Sequence, residues 1–356
     1  MTSSRAGPDP ARNFLAIEPL KTLIVVLNWN SREMTRECIQ SLLAMRGGEF
    51  HILVVDNGSR DGSPEYLQEV FPAISVIANA RNVGFAAGCN IGMKKALEEG
   101  YEYVLLVNND TIADPNLLTE LQNTADRDRK VSMVSPKIYY FNPPDRLWWA
   151  GGTYNQWVGI PRHLGWKKTD GGEFDKSRTT DWATGCVLLL RCDALREAGL
   201  FDEQIFGNGE DLDLSLRIRK LGYVVAYAPT AKVWHREGID YQKNVGEYAR
   251  SFTLIRNLLW VMHKHGEKYQ WLTFLPIFMG YYLPKMTLRF ALRGDFRSSW
   301  ALWQGFAAFW EMRSHPERSV LPAGLQRTNE TSRLVELEPS LTGRTFRSGK
   351  PPSSAS

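Results

Sequence analysis

Short apolar runs alternate with amphipathic segments along the first two thirds of the chain. The runs that predict buried strands are Thr22–Leu27, His51–Val55, Ile74–Ala78, Tyr103–Val107 and Val131–Ser135. The segments that predict helices are Glu33–Met45, Pro64–Phe71, Ala86–Glu99 and Pro115–Asp126. Strands separated by helices favour an α/β fold, in which helices cover both faces of a mostly parallel sheet. Ligands of such sheets bind beyond the carboxyl ends of the strands.

The pattern divides the chain into four regions. Residues 1–20 are predicted to be a flexible arm, residues 21–240 the α/β domain, residues 241–315 a helical unit, and residues 316–356 a disordered tail rich in Ser, Arg, Pro and Gly. Within the α/β domain, residues 140–182 are rich in Gly, Pro and Trp and lack periodicity. A loop of this length in a compact domain is usually functional, so we expect it to lie over the sheet edge.

The helical unit contains an apolar stretch, Trp271–Pro284, flanked by basic residues. The stretch is shorter than the roughly 20 residues that a bilayer span requires. Its basic neighbours are Lys264, Lys268, Lys285, Arg289, Arg293 and Arg297. Aromatic and apolar side chains beside basic ones favour a helix at an anionic membrane surface. The alternative is a helical pair that packs on the α/β domain, and the two interpretations are compatible.

Composition narrows the class of protein only slightly. Hydrophobic residues make up 43% and charged residues 23% of the chain, which is typical of a soluble globular protein. A net charge of +4 does not indicate a nucleic-acid partner, so none is predicted. The four cysteines are scattered without metal-binding spacing, and they predict buried thiols in a reducing compartment. The first residues lack the apolar core of a signal peptide, which favours a cytoplasmic protein.

Two motifs stand where predicted strands end. Asp56 leaves its strand into Asn-Gly-Ser, where its carboxylate can accept a hydrogen bond from the imide N–H of uracil or thymine; the alternative is a turn-forming Asp. Asn108-Asn109-Asp110 follows another strand, and the Asp110 carboxylate can hold Mg²⁺ or Mn²⁺ that bridges a diphosphate. Its alternative is a polar turn that caps the next helix. Asn28 is expected at the same edge of the sheet.

A glycine-rich segment, Asn79–Gly92, follows the third strand. Arg81 within it is placed to meet a base or a phosphate. The segment lacks a GxGxxG pattern and does not follow the first strand, so it is not a dinucleotide fingerprint. Gly88 and Gly92 are better explained by close packing of a helix on the sheet.

Acidic residues open a predicted helix downstream, and a histidine follows. Glu210, Asp211 and Asp213 come directly after a Gly-Asn-Gly loop, and Leu214, Ile218 and Leu221 are predicted to form the apolar stripe. Asp211 could take a proton from an acceptor hydroxyl, whereas the alternative is that acids favour helix N-termini through the dipole. His235 follows a predicted strand, Tyr223–Tyr227, and is a candidate second metal ligand.

Taken in order, these motifs resemble a known family. The segments are LIVVLNWN, VVDNGSRDGS, NARNVGFAAGCNIG, VLLVNNDT, WATGCVLLLRCDAL, GLFDEQIFGNGEDLDLSLRIRKLGYVVAYAP and VWHREG. They resemble family 2 inverting glycosyltransferases with the GT-A fold, over about residues 20–240. Within that family they are most similar to the rhamnosyltransferase-like branch that builds bacterial surface polysaccharides.

The resemblance implies a role for each motif. It implies that Asp56 binds the base, that Asp110 is the metal-binding acid of a DxD-type motif, that His235 completes the metal site, and that Asp211 is the catalytic base of an ED motif with Glu210. Asn28, Arg81, Asn108 and Asn109 would then also line the donor site. Trp182, Thr184 and Gly185 would lie by the acceptor pocket. The sequence departs from the family pattern at Asn108, where the first acid of the DxD-type motif is missing.

The implied reaction transfers a sugar, first of all L-rhamnose from dTDP-rhamnose, to a hydroxyl of a glycan or lipid-linked glycan. A UDP-hexose donor is the alternative. The location expected is the inner face of the plasma membrane. A catalytically degenerate nucleotide-sugar-binding protein is a second reading, which the missing acid favours and the intact Glu210, Asp211 and His235 oppose. A sugar nucleotidylyltransferase would need a Gly-rich loop after the first strand, where this chain has Asn28-Trp29-Asn30-Ser31.

Overall fold

A large twisted sheet forms the centre of the protein in the computed structural model, which describes residues 21–236 and 246–315 and the backbone of residues 335–337. Its longest path runs β10-β12-β6-β11-β4-β1-β2-β3-β13, with β5 paired to β12 and β7 to β6; β8 and β9 form a separate hairpin. The strands are β1 (Thr22–Asn28), β2 (Phe50–Asp56), β3 (Ser75–Ala78), β4 (Tyr103–Asn108), β5 (Thr111–Ala113), β6 (Val131–Tyr140), β7 (Leu147–Trp149), β8 (Gly152–Asn155), β9 (Ile160–His163), β10 (Arg178–Thr179), β11 (Val187–Arg191), β12 (Val224–His235) and β13 (Val335–Leu337).

Helices pack against both faces of this sheet, as the sequence pattern predicts. The helices of the α/β domain are α1 (Arg32–Leu43), α2 (Ser63–Val70), α3 (Phe85–Glu98), α4 (Leu117–Asp126), α5 (Cys192–Ala198) and α6 (Glu210–Lys220). Alternate residues of β1 enter opposite clusters: Ile24 and Val26 pack on one face, and Leu23 and Val25 on the other. The alternation follows from the two-residue period of a strand, and burial on both faces explains why β1 is apolar throughout.

The middle of the sheet is parallel, which places the predicted motifs at one edge. β1 lies between β2 and β4 and runs parallel to both. In this register Asn28 is opposite Asp56, and Leu27 is opposite Asn108. β11 is antiparallel to β4 and β6, so the sheet is mixed rather than entirely parallel.

The predicted strand Tyr223–Tyr227 is too short, because β12 continues to His235. The register with β6 shifts between Ala228 and Lys232. Pro229, which lacks a backbone N–H, lies in this irregular stretch, where a ladder hydrogen bond is not required. The bulge explains why the sequence suggests a break although the strand is continuous.

Residues 140–182, predicted as a long loop, contain short strands. β7 pairs with the end of β6, β8 and β9 form a hairpin, and β10 adds to β12 at the sheet edge.

The apolar stripe predicted for α6 is confirmed at Leu214 and Ile218, which are fully buried. The prediction is wrong at Leu221, because this residue follows the last residue of the helix and is 48% exposed. Gly222, at a φ of 87°, follows the helix in the left-handed backbone conformation that glycine favours.

The C-terminal region forms a helical unit. It comprises α7 (Gly246–His265), a 3₁₀ turn (Lys268–Gln270), α8 (Trp271–Ile277), a π-helical turn (Phe278–Tyr282), α9 (Leu283–Ala291) and α10 (Phe296–Ser314). The Asp295 side chain caps α10 by accepting a hydrogen bond from the Ser298 backbone N–H. Among residues 21–236 and 246–315, no helix combines the length and apolarity that crossing a membrane would need.

All four cysteines are buried free thiols, and burial raises the pKa of each. The predicted arm, residues 1–20, lies outside the described residues, as does most of the predicted disordered tail. Within that tail the structure differs at Val335–Leu337, which pairs antiparallel with β3.

Candidate active site

Asn28 and Asp56 meet at the carboxyl ends of β1 and β2. The Asn28 amide donates to the Asp56 carboxylate over 2.6 Å, and both side chains are buried. The other Asp56 oxygen accepts a hydrogen bond from the Ser59 backbone N–H, at 2.9 Å. Asp56 therefore holds its own turn, as the structural alternative requires, while each carboxylate oxygen keeps a second lone pair that could meet a base.

Asn57 and Gly58, which follow Asp56, contact the segment that carries Arg81. The Asn57 amide donates to the Asn82 side chain at 2.9 Å, and its oxygen accepts from the Asn79 side chain and the Val83 backbone. Gly58 lies directly against the backbone of Arg81: a Cβ on Gly58 would be 2.4 Å from the Arg81 Cα. These contacts bring the residue after β2 and the segment after β3 into one wall of the site.

The Asn108-Asn109-Asp110 turn joins the same edge. The Asn109 amide donates to the Thr35 hydroxyl at 3.0 Å and to the Asn28 oxygen at 3.4 Å. The backbone N–H of Asn108 donates to the Cys186 carbonyl at 2.8 Å, and the Asn108 side chain is half-buried. Asn109 is thus occupied in bracing β1 and α1, and the turn presents a single acid, Asp110.

Asp110 and His235 form a buried pair. The imidazole Nε2 lies 3.1 Å from a carboxylate oxygen of Asp110. Pairing of β5 with β12 creates this contact, since Thr111 and His235 are opposite each other. Burial by itself would lower the pKa of His235, but the nearby Asp110 carboxylate outweighs it and holds the pKa well above the ordinary value. The edge of the Trp148 ring packs on His235, with 4.7 Å between ring centroids.

The chemistry of this pair fits a divalent cation with phosphate ligands. The second oxygen of Asp110 and the Nδ1 of His235 are buried without a hydrogen-bond partner. In the part of the chain that the structure describes, no group of three or more His, Cys, Asp or Glu side chains is arranged to hold a metal. Mg²⁺ sites often use only one or two protein ligands and complete the shell with substrate phosphates. Asp110 and His235 suit such a site, although they do not form a complete metal cage.

Asp211 lies in the first turn of α6, beside the segment that precedes β11. Its carboxylate accepts hydrogen bonds from the backbone N–H groups of Gly185, at 2.9 Å, and Leu212, at 2.7 Å. Burial raises the pKa of Asp211, and the two N–H donors partly oppose that rise. Gly185 precedes Cys186, whose carbonyl binds Asn108, so short backbone contacts connect Asp211 to the strand-end residues.

Glu210 is buried more deeply than Asp211. One of its carboxylate oxygens has no hydrogen-bond partner among the described residues. Burial, and then the neighbouring Asp211, raise the pKa of Glu210 well above its ordinary value. Burial therefore affects the pKa of Glu210 more strongly than that of Asp211, whose carboxylate accepts two backbone N–H bonds.

Trp182 and Thr184, which the resemblance assigns to the acceptor pocket, are both buried. Trp182 is buried, its ring 4.6 Å from that of Trp149 between centroids, and its indole N–H donates to the Thr153 carbonyl at 3.3 Å. The Thr184 hydroxyl accepts from the Cys186 backbone N–H at 3.3 Å. Both side chains hold the segment that carries Gly185, which is the residue of this group that contacts Asp211.

Sequence reasoning missed the polar side chains of the helical unit that reach α6. Asn257 in α7 is buried and donates to the carbonyls of Gly207, at 2.6 Å, and Asn208, at 2.9 Å. Asp213 is buried with Lys264 and His265 at 2.7 and 2.8 Å. Burial alone would raise the pKa of Asp213, but the hydrogen bond from His265 and the nearby cations lower it below its usual range. Arg256 and Asn257 interrupt an apolar helical run, and that interruption was the available signal.

The chain is similar in sequence to known proteins. The family described as "Glycosyl transferase family 2" matches residues 23–198. N-acetylglucosaminyl-diphospho-decaprenol L-rhamnosyltransferase of Mycobacterium tuberculosis is 25% identical over 213 residues, 52% of this chain and 66% of the relative. Galactofuranosyltransferase GlfT1 of Mycolicibacterium smegmatis is 26% identical over 232 residues, 62% of this chain and 72% of the relative. The match thus spans just under two thirds of the rhamnosyltransferase's length.

A solved structure has the same fold. TarS 1–349 of S. aureus in complex with UDP-GlcNAc superposes with a TM-score of 0.53 at 17% identity, covering 84% of this chain and 82% of that one. The order of the strands and the family match agree with the GT-A architecture that the sequence predicts. Residues 23–198 belong to glycosyltransferase family 2, and rhamnosyltransferases are among the relatives of the chain.

Proposed function

We propose that this protein is an inverting glycosyltransferase that moves a sugar from a nucleotide-sugar donor to a hydroxyl of a glycan or lipid-linked glycan during surface polysaccharide synthesis. The observation that supports this most directly concerns the candidate site residues, which are spread along the chain from Asn28 to His235. They lie close together at one edge of the sheet. Asn28 contacts Asp56, Asp110 contacts His235, and Asp211 contacts Gly185. The family match and the names of the relatives support the same reaction class.

The donor would lie over the strand ends of β1, β2 and β4. Asp56 would accept a hydrogen bond from the base, and Arg81, Asn28, Asn108 and Asn109 would line the nucleotide. Asp110 and His235 would hold a divalent cation, Mg²⁺ or Mn²⁺. Such a cation, when bound, neutralises the charge that develops on the leaving nucleoside diphosphate.

Asp211 would act on the acceptor. Its carboxylate takes the proton of the acceptor hydroxyl while that oxygen forms a bond to the anomeric carbon. The bond from the anomeric carbon to the diphosphate oxygen breaks on the opposite face, so the configuration inverts. The Gly185 N–H orients the carboxylate, and Trp182 and Thr184 hold the segment that carries Gly185. Glu210 would lie beside Asp211 on the acceptor side.

The choice of donor sugar depends on the relatives of the chain. Similarity to a rhamnosyltransferase supports L-rhamnose from dTDP-rhamnose, and similarity to a galactofuranosyltransferase keeps a UDP-hexose as the alternative. The first relative's name includes a lipid diphosphate acceptor, which supports a lipid-linked acceptor here.

A panel of nucleotide sugars with mass detection of the product tests the activity. We expect transfer from one donor, dependent on a divalent cation, and its loss in Asp211→Asn with donor binding retained. Asp110→Ala should abolish the gain in donor affinity that Mn²⁺ brings in calorimetry. If the protein neither hydrolyses nor transfers from any donor in the panel, that result would favour the degenerate binding protein instead.

We also propose that the protein lies on the inner face of the plasma membrane through residues 246–315. Large apolar side chains of this unit are exposed to solvent, among them Leu272 at 77%, Leu292 at 80% and Phe296 at 70%. Tyr281, Lys285, Leu288 and Leu292 recur at helical spacing and are all exposed, which gives one face both apolar and basic character. The unit also packs on α6, so both interpretations of its sequence are compatible with the structure.

A further inference from the structure

A cavity of about 800 Å³ lies between the β8–β9 hairpin and the C-terminal half of α6. Tyr154, Trp157 and Arg162 line it on the hairpin side, Arg219 and Lys220 line it on the helix side, and Gln270 also contributes. None of Asn28, Asp56, Asp110 or Asp211 belongs to its lining. The cavity is therefore separate from the proposed donor site.

The lining carries more positive than negative charge. Its one acid, Asp181, is already satisfied, because it pairs with Arg219 at 3.1 Å and accepts from the Tyr154 backbone N–H at 3.0 Å. Arg162 and Lys220 form no ion pair with a carboxylate among residues 21–236 and 246–315. Two cations without counter-ions at one cavity favour an anionic ligand.

The rim of the cavity continues into the exposed apolar surface of the helical unit. The rings of Trp157 and Tyr269 are 5.4 Å apart between centroids, and their residues are 48% and 54% exposed. The Thr273 hydroxyl donates to the Trp157 carbonyl at 2.9 Å, which fixes the start of α8 against the rim. Lys285 and, to a lesser extent, Arg162 lower the pKa of Tyr281, so Arg162 also lies near that exposed side chain. Anionic and apolar groups of one ligand could thus be accommodated side by side.

The cavity is close to the acceptor side of the proposed active site. Lys220 lies nine residues after Asp211 on the same helix, a separation of about 13 Å at the rise of an α-helix. On the opposite wall, Asp181 begins the short segment that ends at Gly185, whose N–H binds Asp211. A ligand anchored in the cavity would be held within reach of the base.

We infer that this cavity binds the phosphate or diphosphate group of a lipid-linked acceptor, with Arg162 and Lys220 as the anion contacts and the exposed residues around Trp157 and Tyr269 against the start of the hydrocarbon chain. The inference rests on the proposed function, because it names the acceptor class of the same site. It adds a recognition site for the anionic headgroup that is distinct from the donor site.

Calorimetry without donor, in EDTA, tests this assignment. Farnesyl diphosphate below its micelle concentration should bind more tightly than inorganic pyrophosphate or farnesol, because only it offers both the anion and the chain. The double variant Arg162→Gln/Lys220→Gln should weaken that binding about tenfold, which corresponds to about 1.4 kcal/mol. Lys94→Gln removes an exposed cation from α3, outside the cavity, and should bind as the parent does.

Two results would overturn the assignment. Unchanged affinity in the double variant would remove Arg162 and Lys220 from the anion contacts, provided that thermal melting shows it folded. Equal affinity for pyrophosphate and farnesyl diphosphate would show that the hydrocarbon chain does not contribute to binding. Donor hydrolysis by the parent chain is a separate measurement, so a failure of the cavity assignment and a failure of the glycosyltransferase activity can be told apart.

Discussion

Single residues at the strand ends are constrained by backbone geometry as much as by chemistry. Gly58 has a φ of 76°, a conformation that residues with a side chain rarely adopt, and it touches the backbone of Arg81. Asp56 and Asn57 fix the turns on either side of it. In the proposed donor site, Gly58 would therefore act through the position of the Arg81 backbone.

We expect Gly58→Ala to weaken donor binding at least several-fold, because the new Cβ would displace the backbone of Arg81. Gly62→Ala is the matched control: Gly62 has a φ of 74°, and a Cβ there would meet nothing within 4 Å. In both variants an alanine must adopt the left-handed backbone conformation, which costs about 1 kcal/mol. The difference between their donor affinities therefore reports the collision with the Arg81 backbone alone. Calorimetric titration with the donor measures it, and equal affinities in the two variants would contradict the expectation.

Asp211 should make transfer depend on pH. Burial raises the pKa of Asp211, and only its ionised form can accept a proton. We therefore expect kcat/KM to fall as pH decreases through a pKa above the ordinary Asp value, and to level off at higher pH. The profile is measured with saturating metal. A profile that stays flat down to the ordinary pKa of an aspartate would argue against Asp211 as the base.

At the scale of elements, the helical unit braces the loop that precedes α6. Asn208 and Gly209 both have positive φ, at 68° and 114°, and Asn257 of α7 binds the carbonyls of Gly207 and Asn208. Arg256 donates to the Gln204 carbonyl at 3.2 Å. The start of the acidic helix is thus held by a helix from outside the α/β domain.

Replacing Asn257 should disturb catalysis without touching any substrate contact. Asn257→Ala leaves the two loop carbonyls without their donor, at a cost of about 1–3 kcal/mol in the free energy of unfolding. Because the loop positions Asp211, we expect a lower kcat with little change in donor KM. Asn257→Asp, which keeps the acceptor for Arg256 but loses the donor, should show the same loss of kcat. If only stability falls and kcat is unchanged in both variants, Asn257 has a purely structural role.

For the whole molecule, the exposed apolar and basic face of residues 246–315 should decide where the enzyme works. Burying a leucine side chain contributes about 2 kcal/mol, so Leu288→Ser/Leu292→Ser should reduce binding to anionic vesicles at least tenfold. Val70→Ser alters an exposed apolar residue of α2 and serves as the control. Co-sedimentation with phosphatidylglycerol vesicles at two salt concentrations measures this. Sedimentation of the double variant like the parent would exclude this face from membrane binding.

Periodicity and motif order predict much of the fold. The strands β1 to β4 and helices α1 to α4 lie within about two residues of their predicted bounds, because burial on both faces leaves a strong apolar signal. The antiparallel β11 and the continuous β12 were not predicted, since strand direction and a bulge around Pro229 depend on pairing partners distant in the chain. The residue types of the candidate site could be predicted because Asp and Asn residues stand at the ends of the predicted strands.

The sequence by itself determined the family, the order of the motifs and the residues to which roles are assigned. Only the tertiary structure decided which of them touch: Asp110 meets His235 through the pairing of β5 with β12, and Asp211 meets Gly185, which lies just before β11. It also revealed Asn257, Asp213 and the cationic cavity, all of which join segments far apart in sequence. Local preferences can be read along a chain, whereas contacts between distant side chains exist only after the sheet has assembled.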